Sequence, residues 1–331
     1  MIKISLIIPT YNNESTLQNC LDSIKRQTLK PTEIIIADGH STDNTINIAK
    51  KFNCKLVYEE RGTRAAACNA ALEIAEGDLI AFTDSDVIAK EDWLEKLVFT
   101  LEKKSEENII CITGPNLEYP NESLFGKAVT AIYNSFLGGG WSEQARSIFN
   151  KEERLVESAA GCNAIYNKNA LSTVLPFNES LLTAEDTDIN YKLLKKGFKL
   201  YFTPDAIVYH RRPQKHKTLC SKSKKYARGK IQFFKEHKTG LELWHLLPVI
   251  YFITGIFLIF SLFVSLWTWV VIVAYFGLYL LVVILISLIQ AAKFQQWKFI
   301  FLLPIMFIEG HITWSMGILL EIFLPMKTEW Q

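Results

Sequence analysis

The chain has 331 residues, of which 49% are hydrophobic, and its formal net charge is only +2. This length is enough for one or two domains. We expect no nucleic-acid partner. Residues 1–240 have the composition of a soluble α/β protein, whereas the residues from about 244 onward are nearly all apolar. The hydrophobic fraction and net charge of the whole chain therefore describe neither part. The apolar residues from about 244 onward exclude a protein that is soluble throughout.

Six cysteines are scattered along the sequence, without a CxxC pair or a histidine cluster at metal-binding spacing. We interpret them as reduced and mostly buried, which suits a cytosolic domain. The apolar segment at residues 3–9 is too short, and too polar at its end, for a signal peptide. We therefore expect that the soluble part is not exported and that the membrane segments lie in the C-terminal part.

Strand and helix patterns alternate over the first 113 residues. The apolar runs that predict strands are residues 4–8, 33–37, 55–58, 79–83 and 109–113. Helical spacing, cap-type residues and an alanine-rich run predict helices between them, near residues 17–24, 42–52, 64–75 and 92–101. Such alternation with short connections predicts an α/β fold with a parallel sheet covered on both faces.

Charged side chains follow several of these strands. Asp38, Arg61 and the Asp84–Asp86 segment all stand at strand ends, where parallel sheets bind their ligands. Two carboxylates on alternate residues, as in Asp84 and Asp86, can hold a divalent cation such as Mg²⁺ or Mn²⁺ through oxygen ligands. The sequence therefore predicts a binding site with a divalent metal at this edge of the sheet.

The middle of the chain, residues 114–180, is less regular, and its secondary structure is hard to predict. A helix is predicted over Ala184–Lys196, and its first residues include Glu185 and Asp186. Acidic residues at a helix start complement the helix macrodipole. The alternative is that one of them is a general base.

Short strands are predicted at residues 200–202 and 206–209, and His210, Arg211 and Arg212 follow the second one. One interpretation is a solvated basic segment. The other is charge stabilisation of a departing diphosphate, for which arginine has the right fork geometry.

A basic segment and three apolar stretches complete the chain. Residues 211–238 hold 11 Lys or Arg and a single acid, Glu236. The apolar stretches are residues 244–265, 267–289 and 299–323, and each reaches the ~20 residues needed to cross a bilayer.

The basic residues predict the orientation in the membrane. Placing residues 211–238 and the Lys293–Lys298 loop on one side satisfies the positive-inside preference, with the preceding domain in the cytoplasm and the C-terminal end outside. The third stretch contains Pro304, Glu309, His311 and Glu321, so a re-entrant or interfacial helix is the alternative to a third crossing. We expect the basic segment to lie on the cytoplasmic face, with Phe233 and Phe234 directed toward the acyl chains.

Residues 1–215 resemble the family 2 glycosyltransferases, which have a GT-A fold. The matching motifs come in the family's order: Ile7–Asn12, Ala37–Thr45, Arg61–Gly62 with Arg64 and Asn69, Ala75–Asp78 with Asp84–Asp86, and Glu185–Asp186. Residues 150–230 also resemble membrane-bound transferases of the succinoglycan-glucosyltransferase type. No QxxRW motif follows the acidic pair, which argues against a processive synthase.

The resemblance implies a donor site in residues 1–115 and an acceptor side in residues 116–210. On the donor side it implies that Pro9, Thr10 and Tyr11 line the nucleotide pocket and that Asp38 accepts from the base. Arg64 would lie near the base or the diphosphate. Asn69 and Ser85 are further nucleotide-sugar residues by the same resemblance.

The remaining implied roles concern the metal and the acceptor. Asp84 and Asp86 would hold the metal and the sugar, with Asp86 the better ligand, and His210 would contact the metal or the diphosphate. Asp186 would be the base and Glu185 its neighbour. On the acceptor and diphosphate side the resemblance implies Gly161, Arg211 and Arg212.

The expected protein is an integral membrane, inverting glycosyltransferase of glycan or polysaccharide assembly. It would use Mn²⁺ or Mg²⁺ to move a sugar from a nucleotide diphosphate donor, by family frequency UDP, to a lipid-linked saccharide among the membrane lipids. The alternative is a polyprenyl-phosphate sugar synthase. A dehydrogenase is disfavoured because no G-x-G-x-x-G follows the first strand. A non-catalytic scaffold would have lost the acidic motifs, and a transporter would need more spans.

We divide the chain into domain 1–210, interfacial segment 211–243 and membrane domain 244–331. The sequence leaves the oligomeric state open.

Overall fold

The fold was obtained as a computed structural model, which describes residues 2–139, 151–261 and 267–325. These residues form two compact units. The first contains residues 2–121 and 151–211, and the second contains residues 122–139 and 212–325. Residues 122–139 thus group with the C-terminal helices rather than with the acceptor half in which the sequence interpretation placed them.

The described residues of the first unit form eleven strands. They are β1 Ile4–Thr10, β2 Glu33–Asp38, β3 Lys55–Tyr58, β4 Leu79–Thr83, β5 Val87–Ala89, β6 Ile109–Thr113, β7 Asn116–Glu118, β8 Arg154–Val156, β9 Asn163–Asn167, β10 Lys199–Phe202 and β11 Val208–His210. Three of the predicted strands have the predicted bounds, namely β3, β4 and β6.

The described helices follow in chain order, apart from a 3₁₀ turn at Ser105–Glu107. They are α1 Glu14–Lys25, α2 Thr45–Lys51, α3 Arg64–Ile74, α4 Trp93–Lys103, α5 Leu124–Tyr133, α6 Phe136–Gly139, α7 Lys168–Ser172, α8 Glu185–Lys195, α9 His216–His237, α10 Leu243–Ser261, α11 Thr268–Lys293 and α12 Phe299–Phe323.

Eight of these strands form one sheet in the order β3-β2-β1-β4-β9-β6-β10-β8. The pairs β1–β2, β1–β4, β2–β3 and β6–β10 are parallel, and β9 lies antiparallel between β4 and β6. A smaller sheet has the order β5-β11-β7. The predicted α/β fold with a mainly parallel sheet is confirmed.

Alternating residues of the central strands face two layers of helices. In β1, Leu6 and Ile8 are fully buried in one core with Leu17 of α1 and Trp93 of α4. The intervening Ile7 belongs to the core of the opposite face, with alanines of α3. A strand buried on both faces reads as a continuous apolar run, which is why the period of two was not visible in the sequence.

The second unit contains the basic helix α9 and the apolar helices α10, α11 and α12. The three apolar helices are long and apolar enough to cross a membrane. The predicted first stretch ended at residue 265, and residues 262–265 lie outside the described part of the chain. The expectation that Phe233 faces acyl chains is wrong, because its side chain is only 3% exposed and its ring packs 4.7 Å from that of His237.

Candidate active site

Asp84, Asp86 and His210 converge where two strands end. Asp84 and Asp86 follow β4 directly, and the antiparallel pairing of β11 with β5 places His210 opposite Val87. The Nε2 atom of His210 lies 3.1 Å from Asp86 Oδ1 and 3.9 Å from Asp84 Oδ2. The backbone N–H of Arg211 also donates to the Asp86 carbonyl, at 3.1 Å, which holds the two strand ends together.

This cluster fits a divalent metal. One ligand atom from each of Asp84, Asp86 and His210 lies within 4.8 Å of the others. The two carboxylates suit Mn²⁺ and Mg²⁺, the imidazole is a possible third ligand, and this set leaves positions for phosphate oxygens or water. Burial works against a charged imidazole, but the neighbouring Asp86 carboxylate prevails and raises the pKa of His210 to about 10. The site is therefore built to hold positive charge beside the two carboxylates.

Arg64 connects the β4 carboxylates to the acidic start of α8. The side chain of Thr63 caps α3 by accepting from Ala66 N–H, so that Arg64 is the first residue of the helix. Its guanidinium lies 3.1 Å from Asp84 Oδ1 and 3.0 Å from Glu185 Oε1, and it donates to the Gly161 carbonyl at 2.7 Å. One arginine fork thus fixes the spacing of two carboxylates that are 101 positions apart in the sequence.

Glu185 and Asp186 are adjacent but differ in their surroundings. Glu185 is 8% exposed; burial raises its pKa, Arg64 opposes this change, and the charge of Asp186 adds to it. Asp186 is half-buried, and its Oδ2 accepts the Gly161 N–H at 3.0 Å, while Oδ1 accepts the Thr187 N–H at 2.7 Å. Asp186 therefore has a fixed orientation, and no arginine among the described residues forms an ion pair with it.

Gly161 lies between these groups and has no room for a side chain. A Cβ atom at this position would come within 2.7 Å of both terminal nitrogens of Arg64. The loop is anchored by Asn163, which is fully buried, accepts from Trp93 Nε1 at 2.8 Å and donates to the carbonyls of Pro115 and Ala206. Gly161 therefore positions Arg64 and Asp186.

Ala184, the residue before the acidic pair, adopts a left-handed backbone conformation with φ 74° and ψ 20°. This conformation costs an L-residue roughly 1–2 kcal/mol. Backbone strain of this kind is concentrated at functional sites, and here it sets the direction from which Glu185 and Asp186 enter α8.

The predicted nucleotide residues lie at the ends of β1 and β2. Thr10 pairs with Asp38 across the two strands, and the carboxylate of the fully buried Asp38 accepts from both the N–H and the hydroxyl of Ser41. Pro9 is half-buried and Tyr11 is exposed. Their contacts with a nucleotide stay predictions.

Of the remaining predicted site residues, Asn69 and Arg212 have other contacts, and Ser85 lies between the two carboxylates. Asn69 donates to the Phe177 carbonyl and accepts its N–H, at 2.9 and 2.8 Å, so its amide holds a backbone segment. Arg212 belongs to the second unit, where its guanidinium lies 5.7 Å from the centre of the Tyr133 ring. Ser85 is buried between the two acidic residues.

Glu59 holds the turn at Arg61 and Gly62, and the sequence interpretation missed it. It is 6% exposed, and its Oε2 accepts the N–H groups of Arg61 and Gly62, each at 2.7 Å. A Cβ atom on Gly39 would come within 2.9 Å of its Oε1. The signal available in the sequence was an acidic residue two positions before Arg61 and Gly62. A carboxylate that is buried at such a turn needs backbone N–H donors.

Comparison with known proteins identifies the family. The family model of glycosyl transferase family 2 matches residues 5–175, more than half of the chain. A dolichyl N-acetyl-α-D-glucosaminyl phosphate 3-β-D-2,3-diacetamido-2,3-dideoxy-β-D-glucuronosyltransferase of Methanococcus voltae is 27% identical over 214 residues, 62% of this chain and 65% of the relative. Glycosyltransferase AglE of Haloferax volcanii is 28% identical over 250 residues, 72% and 76% of the two chains.

A solved structure supports the fold. The mannosyltransferase PcManGT from Pyrobaculum calidifontis, in complex with GDP-Man and Mn²⁺, superposes with a TM-score of 0.63 at 18% identity, covering 96% of this chain and 87% of that one. The predicted GT-A fold, followed by three apolar helices that could span a membrane, is confirmed. The chain is therefore a glycosyltransferase and belongs to glycosyl transferase family 2.

Proposed function

We propose that the chain is an inverting glycosyltransferase that moves a sugar from a nucleotide diphosphate to a lipid-linked saccharide at the cytoplasmic face of a membrane. The observation that carries the proposal is the double contact of Arg64 with Asp84 and Glu185. It joins a carboxylate pair suited to the donor's metal with a carboxylate pair suited to the acceptor.

The donor side would hold the metal on Asp84, Asp86 and His210. Mn²⁺ or Mg²⁺ there would neutralise the diphosphate as it leaves. Pro9, Thr10, Tyr11 and Asp38 would line the nucleotide. The GDP-Man and Mn²⁺ in PcManGT support a nucleotide-diphosphate sugar and a divalent ion, whereas the preference for UDP rests on family frequency.

On the acceptor side, Asp186 would be the general base. Its carboxylate removes the proton of an acceptor hydroxyl while that oxygen attacks the anomeric carbon and the bond from this carbon to the phosphate oxygen breaks. Attack opposite to the leaving group inverts the configuration. Glu185, bound by Arg64, would act as a positioning residue. The Methanococcus relative, which is named as a transferase onto a dolichyl-linked sugar phosphate, supports a saccharide acceptor rather than a bare lipid phosphate.

An acceptor assay tests this function. The purified full chain with Mn²⁺ would be given UDP- and GDP-sugars and a membrane lipid extract, and nucleotide release would be measured. The consumed donor would then be paired with either lipid-linked saccharides or polyprenyl phosphate. Transfer to the saccharides is the expected result. Transfer to polyprenyl phosphate alone would establish the alternative synthase. It would contradict both the main proposal and the resemblance to the succinoglycan-glucosyltransferase type.

The basic helix α9 would attract the anionic head groups of the acceptor and of the membrane. Near an anionic surface each cation gains about 1 kcal/mol. Replacing Lys222, Lys224 and Lys225 with Gln should therefore raise KM for a lipid acceptor far more than for the nucleotide sugar. Arg228 is left unchanged because it is buried in an ion pair with Glu321.

Salt and a soluble acceptor are the controls for this prediction. The effect should shrink at 1 M salt, where the Debye length is about 3 Å. An equal loss toward a short soluble acceptor would show that α9 supports the fold or the donor site, and lipid attraction would be the wrong explanation.

A further inference from the structure

Helices α10 and α11 form an antiparallel hairpin. The rings of Tyr251 and Tyr275 stack at 4.4 Å, and Thr268 at the start of α11 contacts the Ser261 carbonyl at the end of α10. If α10 crosses a membrane, α11 returns across it. The start of α10 and the end of α11 therefore lie on the same side, which we name the near side.

The first half of α12 runs back along α11. The rings of Phe294 and Phe299 lie 6.0 Å apart at the connection, and the hydroxyl of Tyr279 lies 2.8 Å from Nδ1 of His311. A helix that continued in this direction to a crossing would bring Glu321 beside the far end of α11, near residue 271.

The second half of α12 instead packs on the near side. Trp314 Nε1 donates to the carbonyl of His245, the third residue of α10, at 2.9 Å. Ile318 is fully buried in one hydrophobic cluster with Ala227 of α9 and Val249 of α10. From the start of α10 to Val249 is about 9 Å at 1.5 Å per residue, so Ile318 is no deeper than about a third of a crossing.

Close packing continues along α9. A Cβ atom on Gly317 would come within 2.5 Å of the Lys224 carbonyl oxygen, so this glycine lets the two helix backbones approach each other. Ser223 donates to the Gly310 carbonyl at 3.0 Å. The two helices run parallel over this region, since the contacts advance together along both.

Glu321 closes the contact in the last turns of α12. It is 2% exposed, and its carboxylate accepts from Arg228 Nε at 2.8 Å. Lys235 Nζ lies 3.8 Å from the same carboxylate. Arg228 also donates to the Leu324 carbonyl at 3.0 Å, just beyond the end of α12. The end of α12 is thereby attached to α9.

The charge of α9 determines on which side this end lies. Lys222, Lys224 and Lys225 belong to α9, and charged Lys side chains are unfavourable at the centre of a bilayer. α9 precedes α10 and so stays on the near side. Both ends of α12 are then on the near side as well.

We propose that α12 does not cross the membrane but lies along its near leaflet, so that only α10 and α11 span it. The lipid-facing surface would be a single apolar stripe with spacings of four and seven residues. Its exposed members are Phe301, Ile305, Ile312, Met316 and Phe323, and Ile322 in the last turn is exposed beside the stripe. Leu324 and Pro325, which follow α12, then lie on the side of α9, in place of the outside location expected from three crossings.

Cysteine accessibility in sealed vesicles of known orientation tests this topology. Single cysteines at Leu324, Trp297 and Trp267, which are all well exposed, would be reacted with a membrane-impermeant maleimide, with the unchanged chain as the blank. Leu324→Cys and Trp297→Cys should react from one face and Trp267→Cys from the other. Reaction of Leu324→Cys from the face that labels Trp267→Cys would overturn the proposal.

A charge exchange tests the attachment independently of labelling. Arg228→Glu and Glu321→Arg should each lower the yield of folded protein in the membrane, because each places like charges together in a buried site. The double variant should restore most of it, while Lys217→Glu, at an exposed position of the same helix, should have little effect. A double variant no better than the two single variants would contradict the pairing and, with it, the near-side location.

Discussion

The two acidic pairs of the site, one after β4 and one at the start of α8, are arranged alike. In each pair one carboxylate is bound by Arg64, namely Asp84 and Glu185. The other carboxylate has a different partner: Asp86 lies beside His210, and Asp186 accepts the Gly161 N–H. The same residue types thus have different surroundings one or two positions apart.

This difference separates positioning from chemistry. A carboxylate oxygen that accepts from the Arg64 guanidinium has part of its negative charge balanced by that contact. Asp84 and Glu185 therefore hold the two halves of the site at a fixed spacing, and Asp84 keeps its second oxygen, Oδ2, 3.9 Å from His210 Nε2 in the proposed metal site. Asp86 and Asp186 are left as the metal ligand and the base of the proposed reaction.

The largest effect is expected from the metal side. Asp86→Ala should abolish transfer and leave the fold intact, because it removes a ligand atom and the partner of His210. Chelation by EDTA should do the same and should be reversed by Mn²⁺. Transfer rates and circular dichroism would be compared with those of Glu73→Ala, an exposed acid on α3. Full activity in metal-free buffer would contradict the metal assignment.

Arg64→Lys should have the next largest effect. A lysine keeps the charge but cannot reach Asp84, Glu185 and the Gly161 carbonyl with one rigid fork. A displacement of reacting groups by about 1 Å can cost on the order of 10²-fold in rate, and we expect a loss of that size in kcat. Arg26→Lys, at an exposed residue that follows α1 away from the site motifs, is the matched control. Equal rates for the two variants would show that Arg64 does not set the spacing.

Gly161→Ala should have the smallest of the three effects. The added methyl group would displace the Arg64 guanidinium from one side only, so the loss in kcat should be less than for Arg64→Lys, with KM for the donor nearly unchanged. Gly277→Ala, where a Cβ meets nothing within 4 Å, controls for the substitution itself. A wild-type kcat would mean that the loop yields and that Gly161 does not position Arg64.

The sequence predicted the parts of the site that depend on local order. Asp84 and Asp86 follow an apolar strand, and Glu185 and Asp186 open a helix, so both positions could be inferred from neighbouring residues. The same holds for the parallel strands β1 to β4. Gly161 was named only through the family resemblance, and its contacts with Arg64 and Asp186 could not be inferred.

The remaining features depend on pairings between distant segments. The antiparallel strand β9 comes from the irregular region and carries Asn163, which holds the loop of Gly161. Likewise, hydropathy gave the length of α12 but not its direction, which depends on the contact of Glu321 with Arg228. Phe233 was expected to face lipid because apolar residues next to cations suggested an amphipathic surface, whereas the fold buries it.

The most direct test of the central claim compares two neighbouring carboxylates. Single-turnover transfer rates and donor affinities would be measured for Asp186→Asn and Glu185→Gln, using the acceptor fraction identified in the lipid extract. We predict that Asp186→Asn loses ~10²–10⁴-fold in rate, as expected for removal of a general base, with nearly normal donor affinity, and that Glu185→Gln loses less. Wild-type turnover of Asp186→Asn together with a large loss for Glu185→Gln would contradict the account.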